Sequence, residues 1–280
     1  MTVLKRGPSS NSQVLATDLD GTLIPLDGCG RHVSDLATLD EQLRTHGVEL
    51  VFVTGRHFDS VRDAITEHRL PSPDWIICDV GTTIYQRGNA GEFIQLRAYY
   101  EHLAVITAEF SIDELRSRLS VIERLREQQS EKQGAFKLSY YANADEIDEL
   151  QAEIGQLFSE CGAPYSVIHS VDPFNGDGLI DCLPSGVSKA HALNWWSRHL
   201  GIADDAIVYA GDSGNDLAAF TAGYRTIVVG NAHRALVEQV RDAHQNSGWY
   251  DRLFVAKDRA TSGVLAGCRL FGLIESTSET

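Results

Sequence analysis

The chain reads as an α/β protein: a doubly wound, mostly parallel, Rossmann-like sheet core with an inserted α+β domain. Three observations predict this. Short apolar runs alternate with amphipathic helical stretches at both ends of the chain. Acidic, hydroxyl and glycine residues cluster where several of those runs end. Between residues 88 and 183 the pattern changes to strand, long helix, strand, long helix and two strands. At 280 residues the chain is also longer than most single domains. We therefore expect a discontinuous core at 1–87 and 184–280, with the inserted domain at 88–183.

The elements follow in order. Val14-Leu15-Ala16-Thr17 is a short buried strand ending at Asp18. Leu36, Leu39 and Leu43 recur at helical spacing, with Ser34 as N-cap and Gly47 as terminator. Val48 to Val53 is a second strand, ending at Thr54-Gly55-Arg56. A helix through Val61, Ala64 and Ile65 precedes a strand at Trp75 to Cys78. In the insertion, Ile112 to Glu127 and Ala144 to Cys161 read as helices, and Phe136 to Tyr141, Tyr165 to His169 and Gly178 to Leu183 as strands. Alternation resumes with a helix over Val187 to His199, Trp195 and Trp196 lying in its packing face. A strand at Ala206 to Ala210 then leads into Gly211-Asp212-Ser213-Gly214-Asn215-Asp216. After a helix come a strand at Thr226 to Val229 and a helix near Ala235 to Val240.

Ligands of open α/β sheets bind outside the carboxyl ends of the strands, so the residues there matter most. Asp18 and Asp20 end the first strand; one carboxylate can attack phosphorus and the other move a proton. Gly21 permits a sharp turn beside them. Thr54 and the Gly55 amide can hydrogen-bond phosphate oxygens. Lys189 stands at a helix start, where ammonium and helix terminus together favour an anion. Asp212 and Asp216 supply hard oxygen ligands suited to Mg²⁺. Each feature alone has a plain structural reading, as a strand cap, a turn or a solvated lysine. Their joint occurrence at the ends of one sheet points to phosphoryl chemistry.

Bulk properties narrow the partners. The net charge is −15, which argues against nucleic acid or an anionic membrane. An anionic substrate must then be drawn in by a local cation. The five cysteines (Cys29, Cys78, Cys161, Cys182, Cys268) are scattered and never form C-x-x-C, which fits free thiols in a reducing cytosol. No apolar h-region precedes Gln13 and no apolar run reaches bilayer length, so a cytoplasmic protein is expected. Oligomeric state is left open, a monomer being sufficient.

In their order, D-x-D-G-T, T-G-R, the helix-start lysine and G-D-S-G-N-D resemble the four motifs of the haloacid dehalogenase superfamily of phosphatases. The insertion between the second and third motifs resembles the C2 (type IIB) cap arrangement. Pro73 to Ile77 with Val80-Gly81-Thr82, Lys137 to Tyr140, Asp181 to Pro184 and Val228 to Ala232 resemble the sucrose-phosphate and mannosylfructose-phosphate phosphatase branch. The D-L-D-G-T form differs from the D-L-D-N-T of sucrose-phosphate phosphatases and leaves the sugar open.

The resemblance implies that Asp18 is the nucleophile and Asp20 the acid and base. Thr54, Gly55, Lys189 and Asn215 would bind phosphate. Mg²⁺ would be held by the Asp18 carboxylate, the Asp20 carbonyl and Asp212, with Asp216 aligning the metal shell. The cap would choose the phosphosugar through Lys137, Tyr140 or Tyr141, and Asp181, although each has an alternative as core, surface charge or strand cap. Asp79 would be a substrate contact or a hinge group. A phosphotransferase or phosphomutase, or a non-catalytic sugar-phosphate sensor or partner subunit, are the competing readings.

Overall fold

The computed structural model describes residues 13–26, 30–172 and 175–276. The leader before Gln13 and Cys29 lie outside them. In chain order the first elements are β1 (Val14–Thr17), α1 (Gly30–His46), β2 (Glu49–Val53), α2 (Phe58–Glu67), β3 (Trp75–Cys78), β4 (Thr83–Arg87) and β5 (Phe93–Gln95). An excursion follows, with α3 (Arg97–Ile106), α4 (Ile112–Leu119), β6 (Arg126–Glu127), β7 (Leu138–Ala142), α5 (Ile147–Cys161), β8 (Tyr165–Val171) and β9 (Gly178–Pro184). The chain then adds α6 (Lys189–Leu200), β10 (Ile207–Gly211), α7 (Leu217–Phe220), β11 (Arg225–Val228), α8 (Arg234–Asn246), β12 (Leu253–Val255) and α9 (Ala260–Leu270).

Two compact units result, one from residues up to Gln95 together with those from Lys189 onward, the other Leu96–Ser188. The larger unit carries an eight-stranded sheet in the order β12-β11-β10-β1-β2-β3-β4-β5. Every neighbouring pair from β12 to β3 is parallel, while β4 and β5 are antiparallel additions. This is the mostly parallel, doubly wound sheet that the alternation predicts. Its inner strands are buried on both faces because helices cover both, which is why β1 and β10 are apolar nearly throughout. The chain leaves β1 toward β2 on one side and returns later to β10 on the other. Their carboxyl ends therefore flank a crevice at the switch point.

Four sequence-based expectations change. The division falls at Gln95/Leu96 and Ser188/Lys189 rather than at 87/88 and 183/184, because β5 hydrogen-bonds to β4 and joins the large sheet. Ser34 does not cap α1: the helix already runs from Gly30, and the Ser34 hydroxyl donates back to the Arg31 carbonyl at 2.8 Å. The charged stretch from Ile112 is helical only to Leu119, where a turn precedes β6. Only Trp196 of the tryptophan pair is fully buried, edge-on to Trp75; Trp195 stacks on His199. Residues 253–270, whose short strand and small-residue helix carry weak periodicity, add β12 and α9.

The smaller unit is a four-stranded antiparallel sheet, β6-β7-β9-β8. Leu138, Tyr140, Ala142, Ile180 and Cys182 pack against Leu115, Leu119, Leu150, Ile154 and Phe158 of its helices. Alternation then sends Ser139, Tyr141 and Asp181 to the opposite face. Among the described residues Cys78, Cys161, Cys182 and Cys268 are free thiols. No helix among the described residues is long and apolar enough to cross a membrane.

Candidate active site

Asp18 follows β1 directly, and its amide donates to the Ala210 carbonyl of β10 at 2.9 Å, which pins it at the switch point. The residue is only 4% exposed. Lys189, first residue of α6 and 1% exposed, donates from Nζ to Asp18 Oδ1 at 3.0 Å, Asn215 Oδ1 at 2.8 Å and Asp216 Oδ1 at 2.8 Å. An ammonium has three protons, so all three are committed. Burial works against the charge on Lys189, but Asp18 and Asp216 outweigh it and raise its pKa. Burial pushes the Asp18 pKa upward, Asp216 and Asp212 add to the rise, and Lys189 opposes it.

Asp216 is fully buried and answers to five donors. Oδ1 accepts from Lys189 and from the Tyr209 hydroxyl at 2.6 Å. Oδ2 accepts from the Asp212 amide at 3.2 Å, the Ser213 amide at 3.1 Å and the Ser213 hydroxyl at 3.3 Å. A carboxylate has about four lone-pair sites, so Asp216 has none to spare. It organises the 211–216 turn and holds Lys189. Asn215, expected at phosphate, spends its carbonyl on Lys189 and on Ser213 Oγ at 3.0 Å.

Asp212 is less enclosed. Oδ1 accepts from Thr22 Oγ1 at 3.3 Å and Oδ2 from Asn231 Nδ2 at 3.0 Å. Burial, then Asp216, raise its pKa to about 6, against the pull of Lys189. Gly21 adopts φ +76°, and a Cβ there would run into the Asp212 carboxylate. The glycine of D-x-D-G-T is thus required twice, by conformation and by close approach.

Carboxylate oxygens of Asp18, Asp212 and Asp216 lie within 4.8 Å of one another. Burial is the larger cause of the raised Asp18 and Asp212 values, and repulsion between the neighbouring carboxylates adds to it. A hard divalent cation relieves that repulsion, and an all-oxygen donor set is what Mg²⁺ takes. The residues fit such an ion.

Asp20 lies outside this cluster. β1 ends at Thr17, and Asp20 sits in the following turn, where Gly21 N donates to the Ile24 carbonyl at 2.8 Å. Its carboxylate forms a bidentate pair with Arg56, Nε to Oδ2 and Nη2 to Oδ1 both at 2.7 Å. Arg56 is therefore a partner of the site that the sequence quotes in T-G-R without giving it a task. Thr54 is buried, its hydroxyl accepting from the Arg56 amide at 3.2 Å, and Gly55 beside it is half-buried. The three residues after β3 hold this loop. Asp79, Val80 and Gly81 are all left-handed (φ 52°, 57° and 95°), costly for the β-branched valine. The Asp79 amide donates to the Arg56 carbonyl at 2.9 Å and the Val80 amide to the Thr54 carbonyl at 3.2 Å. Asp79 itself is buried in that turn.

A model of the sucrose-6F-phosphate phosphohydrolase family matches residues 11–272. The chain belongs to that family. With it the chain joins the sucrose-phosphatase-like branch of the haloacid dehalogenase-type hydrolases, which are phosphoric monoester hydrolases. It is 31% identical over 267 residues to the mannosylfructose-phosphate phosphatase of Agrobacterium fabrum, covering 93% of this chain and 97% of that one. A HAD-like protein of Nitrosococcus oceani is 34% identical over 229 residues, 81% of this chain; the match spans only 60% of that relative's length. The sucrose-phosphatase of Synechocystis, solved with sucrose and phosphate, superposes with a TM-score of 0.73 at 26% identity, covering 95% of this chain and all of that one.

In the smaller unit the sugar-binding candidates part company. Tyr140 is 5% exposed within the hydrophobic cluster, its hydroxyl buried without a hydrogen-bond partner, so it faces away from the polar side. Asp181 lies opposite Ser139 on the polar face and accepts its hydroxyl at 2.5 Å. Tyr141 shares that face; its hydroxyl accepts from Lys132 Nζ at 2.7 Å and donates to Gln129 at 2.9 Å. Lys137, just before β7, is buried. Sequence reasoning missed Tyr209, Thr22 and Asn231 as members of the core site. The one available signal was a polar residue standing in or after an otherwise apolar strand.

Proposed function

We infer that the protein is a Mg²⁺-dependent phosphatase of a phosphorylated sugar, working through an aspartyl-phosphate on Asp18. The observation that carries this reading is the buried Asp18–Lys189–Asp216 array beside Asp212, at the switch point of a sheet whose family hydrolyses sugar phosphates. An Asp18 oxygen attacks phosphorus and the bond from phosphorus to the sugar oxygen breaks. Asp20 gives that oxygen a proton. Asp20 then takes a proton from the water that attacks phosphorus, and the Asp18–phosphorus bond breaks to free phosphate.

Lys189 neutralises Asp18 so that it can meet a phosphate dianion, and Asp216 with Asn215 holds the ammonium in place. Thr54 and the Gly55 amide are suited to phosphate oxygens. Asp18, Asp212 and the Asp20 carbonyl would hold Mg²⁺, with Asp216 behind them. When bound, the ion offsets charge on the carboxylates and the phosphoryl oxygens. The inserted unit chooses the sugar through the polar face that carries Asp181 and Tyr141, with Lys137 beside it. A disaccharide phosphate is the favoured class, because the relatives named above are phosphatases of mannosylfructose phosphate and of sucrose phosphate. Free buried thiols suit a reducing cytoplasm.

Phosphate release measured with sucrose 6-phosphate, mannosylfructose phosphate, trehalose 6-phosphate and hexose monophosphates, with and without Mg²⁺, tests the reading. One disaccharide phosphate should stand well above the rest and require the metal. Equal turnover of the whole panel, or turnover in EDTA, would contradict it.

A further inference from the structure

Asn231 follows β11 and reaches three separate segments of the larger unit. Its Nδ2 donates to the Gly21 carbonyl at 2.9 Å and to Asp212 Oδ2 at 3.0 Å, while its Oδ1 accepts from the Ala260 amide at 2.9 Å. A primary amide has two protons, and both are used. One fixes the turn that contains Asp20; the other fixes one oxygen of Asp212. The only other side-chain bond to Asp212 among the described residues is the longer one from Thr22, and it falls on Oδ1.

The asparagine is itself held firmly. Gly230 N donates to the Asp258 carbonyl at 2.9 Å, and a Cβ on Gly230 would meet the Lys257 and Asp258 carbonyl oxygens at 2.5 and 2.8 Å. Val229 N donates to the Gly211 carbonyl at 3.1 Å, tying this loop to the strand end that carries Asp212. If Asn231 served only to anchor α9, the bond to Ala260 would suffice. Its two donor bonds go instead to the two segments proposed to hold the metal.

We propose that Asn231 is a positioning residue for Mg²⁺: it orients the Asp212 carboxylate and the Asp20–Gly21 turn so that their oxygens converge on the ion. The proposal rests on the metal-dependent reading above. Groups that orient metal ligands from behind typically contribute tenfold to a hundredfold in affinity.

The test is calorimetric titration of Mg²⁺ into the full chain and into Asn231→Ala and Asn231→Leu, the second keeping the branched four-atom skeleton of the side chain without its polar atoms. It is paired with the rise in melting temperature that Mg²⁺ induces, each variant being read against its own metal-free value. Both variants lose the Ala260 bond, so a lower metal-free melting temperature is expected and decides nothing by itself. The proposal predicts Mg²⁺ affinity lower by about tenfold to a hundredfold and a smaller metal-induced rise. The KM for phosphosugar at saturating Mg²⁺ should be unchanged. Variants that bind Mg²⁺ within about twofold of the wild type would overturn it and leave Asn231 a fold anchor. A wild type that takes up no Mg²⁺ would overturn the metal reading itself, and the proposal with it.

Discussion

The cluster around Asp18 and the polar face around Asp181 are built in opposite ways. In the larger unit Asp18, Lys189 and Asp216 are almost wholly buried, sit at strand ends or a helix start, and hold one another through short bonds. In the smaller unit the polar face is assembled from the alternate residues of a short antiparallel sheet, and its partners come from the connecting stretch at Gln129 and Lys132. A reaction centre needs fixed charges in a dry setting, whereas a sugar-selecting face needs replaceable donors and acceptors. Substitutions in the first region should therefore stop the chemistry, and those in the second should alter which substrate is used.

The largest contrast should come from Asp18→Asn. Phosphate release should fall on the order of 10⁴-fold or more with the fold retained, as loss of a covalent nucleophile does in other enzymes. Near-normal turnover with an unchanged circular dichroism spectrum would break the division. Lys189→Ala comes next, since it leaves two buried carboxylates facing each other. Urea unfolding should show a loss of about 3–5 kcal/mol, and turnover should fall at least about 10²-fold. A surface-like loss below about 1 kcal/mol would argue against the buried array.

The pH response sharpens the same contrast. The folded pKa of Asp212, about 6, exceeds the ordinary 3.8. Its contribution to stability is therefore fully present below the unfolded value and is lost as pH rises through about 6. Asp18 is shifted in the same direction. Between about pH 4 and pH 7, metal-free wild type should thus lose melting temperature relative to Asp212→Asn, and saturating Mg²⁺ should abolish that difference. A difference that grows the other way would refute the assignment.

Smaller effects belong to the second region. Asp181→Ala and Tyr141→Phe should raise KM for the preferred sugar phosphate by about tenfold, roughly one to two lost hydrogen bonds, with kcat little changed. Tyr140→Phe should leave KM untouched and stability within about 0.5 kcal/mol or slightly improved, because it removes a hydroxyl that has no partner in the core. A KM effect at Tyr140 equal to that at Asp181 would erase the distinction between the two faces.

The cluster around Asp18 was legible in the sequence because its parts lie at the ends of strongly apolar strands, in short contiguous motifs such as D-L-D-G-T and G-D-S-G-N-D. Strand alternation and the order of the motifs were enough to bring Asp18, Lys189, Asp212 and Asp216 together. The Arg56–Asp20 pair and the Asn231 contacts were not legible, since each joins segments far apart in the chain through a single side chain. Tyr209, seven residues from Asp216, was hidden because it stands in a wholly buried strand and reads as core. In the smaller unit the limit was one of phase. Tyr140 and Tyr141 are both aromatic and adjacent, and only the register with Asp181 and the helix-covered core tells which of them points inward. The strand that opens the 88–183 pattern was assigned to the inserted domain for a related reason: β5 is three residues long and only partly buried, and its pairing with β4 shows only in the structure.

In the proposed reaction Asp18 carries the phosphoryl group. Rapid mixing with the preferred sugar phosphate and Mg²⁺, borohydride reduction within one turnover and peptide mass spectrometry test it most directly. The Asp18 side chain should be reduced to an alcohol, and only when substrate is present. An unmodified Asp18 in a protein turning over normally, or reduction at another carboxylate, would contradict it.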